Sequence, residues 1–218
     1  MVKAVAFDFN GIIVDDEHLH FEAFRLALEP SGVALTHDDY WAHYLALDDP
    51  GVIRALREDY PAELAPITDT ALEAVKIEHY LRLVGAKVPL FPGAVETVRA
   101  LANELPMVIV SGARRVEIET ALEQAGIADC FQGIVAAEDA ERGKPDPAPY
   151  LMGAQLLRRL PGQIVAIEDS IGGIASARAA GLRVIAVAQT YPRERLTDAD
   201  LVLDRIADLD SVVLRRFR

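Results

Sequence analysis

The sequence predicts an α/β protein: a doubly wound parallel sheet whose first strand is followed by an inserted all-helical segment. Three observations carry this. Short apolar runs recur at 4–7, 107–110, 134–136, 164–167 and 184–187, the pattern of strands buried on both faces of a parallel sheet. From residue 94 onward these runs alternate with helix-like stretches, the rhythm of strand–helix–strand units. Between 14 and 90 the pattern is helical, with no good strand in it. The reading is a core domain of 1–13 and 91–218, a helical cap domain of 14–90, and a core strand order of 5-4-1-2-3.

Taken in order, Ala4 to Phe7 is the first strand, stopped at Asp8 and followed by a glycine turn at Gly11. Phe21, Phe24 and Leu28 then fall on one helix face, and Pro30-Ser31-Gly32 ends that helix. Thr68 and Asp69 are placed to cap the next long helix, with Leu72, Val75, His79 and Leu83 along its expected inner side. Phe91-Pro92-Gly93 breaks the chain before the alternating region. There the helices carry Val95, Val98 and Leu101, then Ile118 and Leu122, then 148–159, then a small-residue stretch at 172–180. Leu201 to Leu203 offers one more short strand before a terminal helix and an exposed Arg215-Arg216 tail.

The chain has 218 residues, ample for a sizeable core, and a net charge of −12. That charge argues against a nucleic-acid backbone or an anionic membrane as partner. A small anion still fits if cations gather in one pocket. Cys130 is the only cysteine, which excludes an intrachain disulfide and a thiolate zinc site; it is expected to be a buried, inert thiol. No apolar run approaches the roughly 18 residues of a membrane helix. No leader pattern opens the sequence, so a cytoplasmic protein is expected, a monomer or weak dimer.

Four strand ends deliver polar groups: Asp8, then Ser111-Gly112, then the loop Gly143-Lys144-Pro145-Asp146-Pro147, then Glu168-Asp169-Ser170. In a parallel sheet these ends share one edge, where open α/β folds bind ligands. Carboxylates without His or Cys select a hard cation such as Mg²⁺. A carboxylate nucleophile beside such an ion, a lysine and a hydroxyl suits phosphoryl transfer.

The segments DFNGIIVD, VSG, GKPDP and IEDSIGGIASARAAGL resemble the four motifs of the haloacid dehalogenase superfamily, in its phosphatase and β-phosphoglucomutase-like branch with a helical cap. The resemblance covers the whole chain and implies a Rossmannoid core. It implies that Asp8 is the nucleophile that becomes an aspartyl phosphate. Ser111, with the Gly112 and Ala113 N–H groups at a helix start, would bind the phosphoryl group. Lys144 would neutralise its charge. Asp8, Glu168, Asp169 and the backbone carbonyl of Asn10 would hold Mg²⁺, Glu168 directly or through water. Gly172 and Gly173 would allow close approach of the chain.

Asn10 departs from the family pattern, in which this position is an aspartate that serves as general acid and base. An amide trades no proton at neutral pH. Three explanations stay open: an introduced substitution, a natural one with slow chemistry or another proton source, or a phosphoester binder without turnover. In the cap, His20 and Lys76 match substrate-contacting positions of the β-phosphoglucomutase group; without that match they read as a surface or packing histidine and a solvated lysine. The stretch from Leu45 to Gly51 lacks the arginine of that group, which favours a phosphatase over a mutase. Arg114 and Arg115 are placed to reach a substrate anion. His18, His37, His43 and His79 read as structural, Trp41 and Tyr44 as cap core, and Asp15-Asp16-Glu17 as a hinge and helix start. The expected function is Mg²⁺-dependent hydrolysis of a small phosphorylated metabolite, a sugar or polyol phosphate. The alternatives are a sugar phosphomutase and a non-catalytic binder. A carbon–halogen hydrolase is least favoured, since the metal set would have no role.

Overall fold

The computed structural model describes residues 2–45, 47–85 and 87–216. Among them the strands are β1 (Ala4–Phe7), β2 (Met107–Val110), β3 (Ile134–Val135), β4 (Ile164–Glu168), β5 (Arg183–Val187) and β6 (Leu201–Leu203). They form one parallel sheet in the order β3-β2-β1-β4-β5-β6. This is the expected order with β6 added at the outer edge. β1, β2 and β4 are buried along their whole length, which is why the sequence shows continuous apolar runs there rather than alternation. Ala6 lies opposite Val108 on one side and Ala166 on the other. The chain runs outward from β1 to one side and then returns to the other, so the sheet reverses between β1 and β4. Asp8 and Asp169 follow these two strands.

The chain divides into two compact units, Met1–Asp15 with Pro89–Arg218, and Asp16–Val88. The expected boundaries at 13/14 and 90/91 each lie two residues away. Val14 bridges Asn10 and Leu90, and the Asp15 N–H donates to the Pro89 carbonyl at 3.0 Å, which ties both connecting strands to the first unit.

The second unit comprises α1 (Glu17–Leu28), α2 (His37–His43), α3 (Asp49–Asp59), α4 (Pro61–Leu64) and α5 (Asp69–Val84). Thr36, Asp48 and Thr68 cap α2, α3 and α5 by accepting backbone N–H bonds. Its core gathers Phe24, Leu28, Tyr40, Tyr44, Leu56 and Leu72, with Trp41 half-buried against it. The expected inner face of α5 is corrected. The buried stripe is Leu72, Lys76, Tyr80 and Val84, while Val75 and Leu83 are exposed. Lys76, which without the family match read as a solvated lysine, is fully buried.

In the first unit the sheet is flanked by α6 (Ala94–Ala102), α7 (Arg115–Ala125), α8 (Ala148–Leu157) and α9 (Ile171–Ala179), with α10 (Ser211–Arg215) near the end. Gly126, at φ 65°, terminates α7. Cys130 is half-buried rather than enclosed, and burial together with the adjacent Asp129 carboxylate pushes its thiol pKa up. Among the described residues no helix is long and apolar enough to cross a membrane.

Candidate active site

The ends of β1, β2 and β4 bring Asp8, Ser111, Glu168 and Asp169 together, as their sequence positions predict. The Asp8 N–H donates to the Ile167 carbonyl at 2.9 Å, which carries the β1–β4 ladder one residue past the strand and fixes the carboxylate's origin. The chain then turns sharply. The Phe9 carbonyl accepts from the N–H groups of Ile12, Ile13 and Val14, and Gly11 takes φ 76°. Only glycine fits there, because a Cβ would drive into the Asp169 carboxylate and the Thr190 hydroxyl.

Lys144 Nζ donates to Asp8 Oδ1 at 2.7 Å and to Glu168 Oε1 at 2.6 Å. Glu168 is fully buried and its carboxylate is held from all sides. Oε1 also accepts from the Tyr150 hydroxyl at 2.7 Å; Oε2 accepts from the N–H groups of Asp169 and Ser170 and from the Ser170 hydroxyl. Ser170 in turn caps α9, accepting from Gly173 N–H at 3.0 Å. Gly173 is required for this arrangement, since a Cβ there would overlap the Glu168 carboxylate. Gly172 faces open space, so the close approach expected at both glycines is needed at one.

Three carboxylates, Asp8, Glu168 and Asp169, offer ligand atoms within 4.8 Å of one another and are all buried. One ammonium does not balance them. Burial, opposed by Lys144 and reinforced by Glu168, pushes the Asp8 carboxyl up to about 7. Burial and the charges of Asp8 and Glu168 raise Asp169 well above the carboxylate range, while the Thr190 side chain, hydrogen-bonded to it, pulls the other way. Burial disfavours the Lys144 ammonium, but the Asp8 and Glu168 carboxylates outweigh it and its pKa is raised. Buried, hard-oxygen donors with excess negative charge fit a divalent cation such as Mg²⁺. Because Glu168 already accepts five hydrogen bonds, Asp8 and Asp169 are the better-disposed direct ligands.

Ser111 is buried; its hydroxyl accepts from Ala113 N–H at 3.0 Å and lies 3.5 Å from Asn10 Oδ1. Gly112 and Ala113 belong to the loop before α7, not to its first turn, which starts at Arg115. Arg114 is half-buried with Nη1 at 3.9 Å from Glu138. The Arg115 guanidinium is engaged within the first unit, bonding Asp139 at 2.6 Å and the Ile134 carbonyl at 3.2 Å.

In the helical unit, His20 and Lys76 share one polar cluster. Lys76 Nζ lies 2.8 Å from His20 Nδ1 and 2.5 Å from Asp49 Oδ2. An ammonium offers only protons, so His20 Nδ1 accepts and Nε2, 3.3 Å from Asp16, carries the ring proton. Tyr80 stacks on His20 and donates its hydroxyl to Asp16. The acidic run after the first strand is therefore more than a hinge. Asp16 makes no side-chain cap bond, and Glu17 accepts from Tyr40 at 2.7 Å, with burial raising its pKa.

Sequence reasoning missed Tyr150, Thr190 and Asp49, and placed Ser170 at a strand end without a role. Gln189 is a further omission: it donates to the Gly11 carbonyl at 2.9 Å and accepts from Ile206 N–H at 2.7 Å, tying the Asp8 loop to the chain's far end. The readable signal was proximity in sequence: Tyr150 follows Lys144 by six positions, and Gln189-Thr190 follow the end of β5.

A family model, described as haloacid dehalogenase-like hydrolase, matches residues 2–181. The chain belongs to the haloacid dehalogenase-like hydrolases. Among its relatives in that family, protein CbbY of Rhodobacter capsulatus is 31% identical over 224 residues, covering 96% of this chain and 95% of the relative. Hexitol phosphatase A of Escherichia coli is 34% identical over 142 residues, 65% of each chain. Among solved haloacid dehalogenase-like structures, an aspartate-to-asparagine mutant of CbbY from Rhodobacter sphaeroides, in complex with xylulose-1,5-bisphosphate, matches with a TM-score of 0.87 at 25% identity over 96% of both chains.

Proposed function

We propose that this protein is a cytoplasmic, monomeric or weakly dimeric Mg²⁺-dependent phosphatase. Its substrate is a small phosphate monoester of a sugar or polyol, cleaved through an aspartyl-phosphate on Asp8. The observation that carries this is the Asp8 carboxylate, gripped by Lys144 at 2.7 Å and clustered with Asp169 and Glu168 at the sheet's reversal. The names of the relatives, a hexitol phosphatase among them, support the substrate class.

Asp8 attacks phosphorus, forming its O–P bond as the ester O–P bond breaks. Lys144 offsets charge on Asp8 and on the phosphoryl oxygens, and Ser111 with Gly112, Ala113 and Arg114 holds the phosphoryl group. Asp8, Asp169, the Asn10 carbonyl and, directly or through water, Glu168 would hold the Mg²⁺, which when bound supplies charge neutralisation to the phosphoryl oxygens. The leaving alkoxide needs a proton that the Asn10 amide does not give. Water's attack on the aspartyl phosphate needs a base that the same amide does not provide. Turnover is therefore slow in this chain. That a CbbY mutant bearing asparagine in place of aspartate holds a sugar bisphosphate is in keeping with an amide that leaves the ester intact. The match of His20 and Lys76 to substrate-contacting positions of the β-phosphoglucomutase group is in keeping with a sugar or polyol ester.

The test is Asn10→Asp against a panel of phosphorylated sugars and polyols with Mg²⁺, measuring inorganic phosphate. The aspartate form is expected to release phosphate roughly 10²–10⁴ times faster. Phosphate retained on the sugar would make the protein a mutase, and ligand-induced stabilisation with no phosphate release from either form would make it a binder.

A further inference from the structure

The loop that delivers Lys144 also delivers Tyr150. Pro147 precedes α8, Asp146 Oδ1 accepts from Ala148 N–H at 2.9 Å, and the Asp146 carbonyl accepts from the Ser176 hydroxyl at 2.5 Å. These contacts pin the first turn of α8, and Tyr150 leaves it fully buried. Its hydroxyl donates to Glu168 Oε1 at 2.7 Å, the same oxygen that Lys144 Nζ approaches at 2.6 Å. Its ring faces the ammonium, with Nζ 5.1 Å from the centroid. Tyr150 thus meets Lys144 twice, once across its π face and once through the shared carboxylate. A phenylalanine would fill the same volume and keep the ring contact, so packing alone does not call for the hydroxyl.

We propose that Tyr150 is a positioning residue that holds Glu168 and Lys144 so that the ammonium stays aimed at Asp8. Without the hydroxyl, Glu168 Oε1 loses one of its two donors, the carboxylate is freer to turn, and Lys144 follows it away from Asp8. The proposal rests on Asp8 being the reacting group, as argued above.

Two measurements on Tyr150→Phe separate this claim from that reading. The first needs no activity: Lys144 acylation by acetic anhydride, followed by peptide mass spectrometry on the chain as it stands. Labelling of Lys144 is expected to rise by roughly threefold or more through local opening, with Lys3 and Lys87 unchanged and the melting temperature within about 3 °C of the parent. An unchanged Lys144 rate overturns the proposal. The second uses Asn10→Asp as background and p-nitrophenyl phosphate as probe. Adding Tyr150→Phe is expected to lower kcat roughly tenfold, the equivalent of one hydrogen bond to a charged group, with KM within about twofold. The loss is expected to vanish in a Lys144→Met background. A loss that persists in full without Lys144 overturns the proposal. If Asn10→Asp proves inactive, the phosphatase reading fails, and Lys144 labelling alone decides the role of Tyr150.

Discussion

Gly173→Ala puts the geometry of the site against simple helix propensity, and the two disagree in sign. Gly173 lies in the first turn of α9, where alanine would ordinarily stabilise by up to about 1 kcal/mol. Here its Cβ would stand closer than 3.0 Å to the Glu168 carboxylate carbon and both oxygens. Glu168 is fully buried, so it has no solvent to swing into. Turning it breaks its contacts with Lys144 at 2.6 Å and Tyr150 at 2.7 Å. Separating a buried ion pair costs about 3–5 kcal/mol. Subtracting the propensity gain leaves a loss of about 2–4 kcal/mol. For a chain of this length that lowers the melting temperature by roughly 5–15 °C. The assay is urea and thermal unfolding followed by circular dichroism, with Gly172→Ala as internal control. Gly172 has nothing within 4 Å of its added Cβ, so that variant is expected to be neutral or slightly stabilised. A Gly173→Ala protein as stable as its parent would refute the claim that Glu168 is locked.

Two further outcomes follow from the electrostatics. Burial raises Asp8 to about 7 and Asp169 higher than its ordinary range, so the folded protein binds more protons than the unfolded chain between about 4 and 7. Stability without metal therefore falls as pH rises through that window. Mg²⁺ competes with those protons, and its stabilising effect on the melting temperature is expected to grow from pH 5.5 to pH 8; a shift independent of pH would contradict the assignment of these carboxylates as ligands. In the helical unit, Asp49→Asn strips the anion from the fully buried Lys76 ammonium. It is expected to destabilise by about 3–5 kcal/mol in urea unfolding, and a loss below about 1 kcal/mol would show that His20 alone satisfies Lys76.

How much of this was legible in the sequence depends on the reach of each signal. The central strands were readable because burial on both faces leaves uninterrupted apolar runs, and the crossover rule narrowed the orders they could take. β6 was visible only as a three-residue possibility. The domain boundaries shifted because Val14 and Asp15 pair with Leu90 and Pro89, partners more than 70 positions away. Asp8, Lys144, Glu168 and Asp169 were legible because strand ends of a parallel sheet must converge. The locking of Glu168 by Tyr150 and Ser170 was not, since nothing local marks a tyrosine in an apolar helix as a donor. The face of α5 was misread for a related reason. Hydrophobic periodicity favours Val75 and Leu83, while the buried stripe contains Lys76 and Tyr80, whose partners Asp16, His20 and Asp49 lie just ahead of α1, on α1 and on α3.

The central claim is that Asp8 is a working nucleophile in a site that lacks only its proton carrier. An ester whose leaving group needs no proton tests it most directly. With Mg²⁺ and p-nitrophenyl phosphate, the chain bearing Asn10 is expected to release p-nitrophenolate in a stoichiometric burst and to accumulate a phosphoryl group that peptide mapping places on Asp8. Absence of both the burst and the phosphorylated Asp8 peptide would contradict the account.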